Sequence, residues 1–266
     1  MRKIIFLVLF ILPVNIQAQG ANTAATVNHV KTVTSPANRV VLLELYTSEG
    51  CSSCPPADRF LSALKADGIS KNQLIPMAFH VTYWDYIGWQ DHFANELYDQ
   101  RQREMALKRK KSTVYTPQFL LSGDDYRSFA RFNNVVKKMA MQKATVDLIL
   151  SAHVISDQPS SDKLQLTLDT NISASEIKDV GFYLVVMEHN LVTDVSDGEN
   201  NGRRLHHDYV VRQLLGPYFQ SQPKNQMSQE QIIRLKPEWK RQDLSIVAFA
   251  ENPHTGEILQ AVKLDF

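Results

Sequence analysis

Cysteine is scarce in this chain, with two residues among 266. That excludes a disulfide-framework scaffold and any four-thiolate zinc site. An excess of one charge is missing too: 29 basic against 28 acidic residues leave a formal net charge of +1. No global field therefore directs the chain to nucleic acid or anionic lipid. Glycine and proline, at 10 and 11 residues, are too few for a collagen-like or low-complexity chain. Past the first dozen residues no apolar run approaches the ~20 needed to cross a bilayer as a helix. The nucleophile elbow of Ser/His/Asp enzymes, the glycine-rich phosphate loop and the dinucleotide fingerprint are absent. What is present is enough apolar sequence, 44%, for one large domain or two ordinary ones.

The start, Met1-Arg2-Lys3 followed by the apolar run Ile4 to Leu12, Pro13 and a small-residue exit at Ala18, predicts a secretory signal peptide over residues 1–18. No cysteine follows the run, so lipid attachment is not expected. The mature protein is expected to be soluble and periplasmic or secreted, where thiols tend to oxidise. Residues 19–38, rich in Ala, Thr, Asn and Ser, read as a flexible leader.

From Val40 the chain changes character. Val40 to Tyr46 is almost continuously apolar, as a strand covered on both faces would be. A helix is expected from the cysteines onward, with Phe60, Leu61 and Leu64 inward, then a buried strand from Leu74 to Val81. A long helix over 92–111 would place Phe93, Leu97, Arg101 and Met105 on one face. Its basic end, Lys108 to Lys111, suits a helix C-terminus better than a nucleic-acid patch. Val114 to Leu121, interrupted by Pro117, reads as a third strand. A helix over 127–143 would follow, with Phe129, Phe132, Val136 and Met139 inward. This alternation predicts an α/β unit over 39–145. Beyond Thr145 the apolar period becomes two. Val146 to Val154 and Leu164 to Ile172 alternate, Gly181 to Glu188 reads as a central strand, and Leu244 to Ala250 with Ile258 to Leu264 reads as a closing hairpin. Residues 146–266 are thus expected to form an antiparallel β-sandwich-like domain.

Both cysteines lie in Cys51-Ser52-Ser53-Cys54-Pro55-Pro56, directly after the first strand. At a helix start, unpaired backbone N–H groups would favour a Cys51 thiolate. Cys54, one turn on, could close a disulfide and release a bound partner. Pro55 and Pro56 suit a first helical turn, where a missing N–H costs little. Glu49, two residues before Cys51, would oppose the thiolate. Three uses fit the pair: a redox-active couple, an inert structural disulfide, and a Cu(I) site with His80 as a third donor. Exchange further requires that the Cys51 sulfur be reachable.

The strand, the Cys-x-x-Cys motif on a helix and Thr116-Pro117 before a later strand resemble the thioredoxin superfamily. The resemblance implies that Thr116-Pro117 is a cis bond facing the cysteine pair, with the Thr116 backbone available to an incoming peptide. A closer similarity links Glu44 to Asp58, His80 to Trp89, Tyr115 to Gln118 and Gly198 to Arg203 with the exported bacterial proteins catalogued as domain of unknown function 1223. That family is thioredoxin-like in its first part and β-rich in the remainder, and it brings no established substrate. Here Ser52-Ser53 stands where ordinary thioredoxins carry Gly-Pro, with no basic residue between the thiols.

On that fold the aromatic segment Tyr83 to Trp89 would lie on the same side as the cysteines. It is either a partner-docking rim, with Tyr83 and Trp84 contacting substrate, or a lid packed between the two halves. Glu199, His206, His207 and Asp208 read as a solvated polar segment rather than a metal cluster, because adjacent strand residues face opposite ways. The combined expectation is an exported thiol–disulfide exchange protein. Cys51 would attack, Cys54 resolve, and Pro117 shape the peptide edge. Its partners would be protein thiols or disulfides, with no cofactor and no resident metal.

Overall fold

The computed structural model describes residues 30–64, 66, 68–156, 162–174, 179–220 and 225–266. The expected signal peptide and most of the leader lie outside the described residues. The described end of the leader is a strand, β1 (Lys31–Thr34), antiparallel to β6 (Val146–Ser156), with Val33 opposite Leu150. Its β-branched Thr32, Val33 and Thr34 suit a strand, with Val33 packed against a core.

In the first half, β2 (Val41–Thr47) is buried along its whole length. It lies between β3 (Leu74–His80), which is parallel to it, and β4 (Gln118–Leu121), which is antiparallel. Helix α1 (Pro55–Ala63) follows β2 and α2 (Glu96–Lys108) follows β3. The short edge strand β5 (Asp124–Asp125) precedes α3 (Phe132–Ala140). Helix α2 is shorter than the expected 92–111, because the Asn95 side chain caps it by accepting from the Leu97 N–H at 2.9 Å. Its buried face is Tyr98, Arg101, Gln102 and Met105, while Leu97 is 55% exposed. Arg101 and Met105 of the expected face are buried, and the Arg101 guanidinium binds the buried Glu44 and Glu251 carboxylates at 2.9 and 3.0 Å. Lys108 at the helix end also pairs with Glu251, and Arg109 pairs with Asp124.

The apolar period changes at Thr145, but the sheet does not stop there. β8 (Gly181–Glu188), β11 (Val210–Phe219), β13 (Leu244–Glu251) and β14 (Ile258–Asp265) join the strands of the first half. The eight-stranded order is β14-β13-β8-β11-β3-β2-β4-β5. The junction is a short parallel pairing of Val210 with Ala78, where the Ala78 N–H donates to the Tyr209 carbonyl at 2.8 Å. Arg101 reaches both Glu44 on β2 and Glu251 on β13, although three strands lie between them, so the sheet is strongly curled. Periodicity reports which face of a strand is covered and carries no information on which strand takes its edge.

A second sheet, β1-β6-β7-β12, is completed by β7 (Asp162–Ile172) and β12 (Gln226–Arg234). It packs on one face of the eight-stranded sheet. Phe182, Leu184 and Val186 of β8 face Leu148, Leu150, Leu166 and Leu168, while Tyr183, Val185 and Met187 face the core of the first half. That two-sided burial explains why Gly181 to Glu188 reads as uniformly apolar. A hairpin of β9 (Leu191–Asp194) and β10 (Arg204–His207) stands apart from both sheets and packs beside α1.

Candidate functional site

Past the end of β2 the chain turns through Ser48-Glu49-Gly50 into the cysteines, which form a disulfide with Cα atoms 5.4 Å apart. The helix begins later than expected. Cys54 is its N-cap, Pro55 and Pro56 open the first turn, and Cys51 lies in a turn outside it. The two prolines have no N–H, and the Ala57 and Asp58 N–H groups both donate to the Cys54 carbonyl, at 2.8 and 3.1 Å. The unpaired donors expected to favour a Cys51 thiolate are therefore removed or occupied. Nor is the sulfur reachable: Cys51 and Cys54 are both 0% exposed. The Cys51 sulfur has the Ser53 hydroxyl at 3.3 Å.

The loop before the pair is tied by residues remote in sequence. The Asn200 side-chain amide donates to the carbonyls of Glu49 and Cys51, at 2.7 and 3.0 Å. Glu199 accepts from the Ser52 N–H at 3.0 Å, and the Ser52 hydroxyl together with that N–H holds its carboxyl below its ordinary value. The Glu49 carboxylate is fully engaged: Trp89 Nε1 donates to one oxygen at 2.9 Å, and His207 Nε2 lies 3.1 Å from the other. The Glu49 N–H donates to Asp91, whose same oxygen lies 2.6 Å from His80 Nδ1.

These groups form a buried ionic cluster at the C-terminal ends of β2 and β3. Burial disfavours a charged His80, but the Asp91 carboxylate outweighs it, aided by Asp58 and Glu49, and holds the imidazole pKa above its ordinary value. Burial likewise works against charge on Asp91, and His80 overcomes it, keeping that carboxyl low. Asp58, one turn beyond Cys54 and bonded to Thr47 at 3.2 Å, is pushed up by burial despite the nearby His207 and His80. The imidazole rings of His80 and His207 stand 5.1 Å apart, and His80 Nε2 and His207 Nδ1 have no protein partner. His80, weighed as a copper donor, bonds Asp91 through Nδ1, which leaves Nε2 as the nitrogen without a protein partner. Among the described residues, no three His, Cys, Asp or Glu side chains converge as a metal site.

Thr116-Pro117 is a cis peptide bond. Trp84 connects it to the cysteine loop. Its indole N–H donates to the Thr116 hydroxyl at 2.6 Å, and its backbone and Cβ lie so close to Gly50 that a Cβ there would approach to 3.1 Å. Tyr83 bonds Gln102 at 3.1 Å, and burial pushes its hydroxyl up to about 12. Gln102 in turn holds the Tyr115 carbonyl and the Gln118 side chain on either side of the cis bond, at 2.9 and 2.8 Å. The aromatic segment divides. Tyr83 and Trp84 pack against the core of the first half, Trp89 meets the second half, and Tyr86 is 82% exposed.

His207, Asn200, Asp91 and Asp58 are the residues that sequence reasoning did not assign to this site. For His207 a signal existed. In β10, Leu205 and His207 are buried while Arg204 and His206 are exposed, so His207 lies two residues from an apolar neighbour on the inward face. The solvated reading fits His206 and fails for His207.

The family model described as "Protein of unknown function (DUF1223)" matches residues 42–251, and the chain belongs to that family. No curated protein shows a match. Among solved structures, the chain is similar to a crystallised protein from Agrobacterium tumefaciens, with 20% identity and a TM-score of 0.60, covering 86% of this chain and 96% of that one. It is also similar to HBP35 of Porphyromonas gingivalis, with 15% identity and a TM-score of 0.64, covering 87% of this chain and 76% of that one. At these identities the likeness concerns the fold alone.

Proposed function

We propose that this is an exported protein, thioredoxin-like in its first part, that exchanges disulfides with protein partners through Cys51 and Cys54. The observation that carries the reading is the joined Cys51–Cys54 pair at the end of a central strand, linked through Trp84 to a cis Thr116-Pro117 segment. In the oxidised protein a partner thiolate attacks the Cys51 sulfur, the bond to Cys54 breaks, and Cys54 leaves as a thiolate. A second partner thiol then displaces Cys51. The partner dithiol becomes a disulfide, and the pair takes up two electrons and two protons. The reverse sequence reduces a partner. Neither direction calls for a resident cofactor or metal.

Full burial of both cysteines favours a second reading, in which the disulfide is structural and never turns over. Under the first reading the cover over the pair must open before each exchange. Trapping separates the two. With Cys54→Ser in the native compartment, an exchange protein accumulates mixed disulfides through Cys51. If the variant melts cooperatively and yields no adducts, the structural reading stands.

A further inference from the structure

We infer that the segment Gly198-Glu199-Asn200 is a clasp that governs access to the cysteine pair, with Asn200 as its positioning residue and Glu199 in support. The inference rests on the exchange reading, and it assigns a role to a motif that the exchange chemistry leaves unused. The chain turns here through a 3-10 turn whose geometry is set locally. The Asp197 side chain accepts from the Gly198 N–H at 2.7 Å, and the Asn201 N–H returns to the Gly198 carbonyl at 3.2 Å. Gly198 has φ +68°, and a Cβ there would lie 3.1 Å from Trp89 Cβ, so a side chain at this position would be strained and would crowd the aromatic segment. So held, the turn aims two consecutive side chains at the cysteine loop. Asn200 spans the carbonyls of Glu49 and Cys51, and Glu199 takes the Ser52 N–H. Three of the loop's backbone polar groups are thus satisfied by residues about 150 positions away. Asn200 is itself fully buried, and its carbonyl oxygen has no protein partner. The amide is held for its two donated bonds, and it spans the loop only while the second half stays docked.

An attacking thiol must reach a sulfur that is sealed while this clasp is shut, so the reduction rate reports the fraction of molecules in which it is open. Releasing two buried hydrogen bonds should raise that fraction about tenfold or more. The test compares reduction of the wild-type disulfide by a water-soluble phosphine with that of Asn200→Ala and Glu199→Ala, with thermal unfolding followed in parallel. Asn200→Ala should be reduced at least about tenfold faster at a temperature where both proteins are fully folded, and Glu199→Ala by a smaller factor. Asn200→Asp replaces the donor with an acceptor facing two carbonyls and should be reduced at least as fast as Asn200→Ala. Reduction of all three variants at the wild-type rate overturns the clasp. If Asn200→Ala does not fold, Glu199→Ala, altered at an exposed side chain, carries the test alone, and an unchanged rate in that variant overturns it. Failure of the exchange reading shows separately, as fast reduction of the variants with no adducts on Cys54→Ser.

Discussion

The two cores that share the eight-stranded sheet are built from different chemistry. Beneath the four-stranded sheet the contacts are mostly between aliphatic and aromatic side chains, such as Leu148, Leu166, Leu168, Leu184 and Ile246, with the ion pair of Glu188 and Arg212 beside Trp239. On the side of the first half, charge is buried as well: Arg101 with Glu44 and Glu251, His80 with Asp91, and Glu49 beside His207. An apolar core tolerates changes of shape that preserve its volume, because its interactions have no direction. A buried ion pair is directional, and losing one partner leaves the other uncompensated. The sheet therefore carries a forgiving half that holds the fold and an exacting half that fixes where the cysteine loop lies.

Arg101→Ala should do most damage, because it leaves the fully buried Glu44 carboxylate without its cation and the equally buried Glu251 with Lys108 alone. A loss of about 3–5 kcal/mol in chemical denaturation is expected. An effect under about 1 kcal/mol would remove the contrast between the cores. Next, Leu168→Ala empties part of the apolar core and should cost roughly 2–5 kcal/mol. It should leave the phosphine reduction rate of the disulfide unchanged under folding conditions. A faster rate would show that the two cores act as one. The smallest effect is a pH dependence. The His80 pKa is raised on folding, so its contribution is complete below the ordinary value of 6.5 and is lost as pH rises through the folded value. Asp91 is depressed, so its contribution is present above 3.8 and is lost as pH falls through its folded value. The thermal midpoint of wild type should therefore decline on the alkaline side of the imidazole range. His80→Gln should flatten that limb, and an unchanged limb would assign it to another group.

Much of the local structure can be read from residue patterns. The β2 run, the alternation in β6 and β7 and the β13–β14 hairpin are all set by which faces are covered, and coverage is what periodicity encodes. The exceptions arise where a hydrogen-bonding or ionic partner, near or far in sequence, sets the structure. Leu97 shares a face with Arg101 and Met105 in the sequence pattern, yet only those two are buried, with Arg101 held by two carboxylates on distant strands. Residues 31–34 looked like loose leader because their partner strand begins at residue 146. The helix start moved because the Cys54 carbonyl claims the first free N–H groups. At the candidate site, Cys51, Cys54 and Pro117 were legible as types in a motif. Their surroundings were not, since Asn200 and His207 reach the loop across about 150 residues, and neither residue type advertises such a contact.

That separation has a kinetic consequence. A ribosome making the chain from its N-terminus at about 5–20 residues per second needs roughly 7–30 s to pass from Cys51 to Asn200. For that interval the thiols are made while the residues that later seal them do not yet exist. Whatever oxidises the pair has its easiest opportunity before the second half of the chain has docked, and thereafter must wait for the finished protein to breathe.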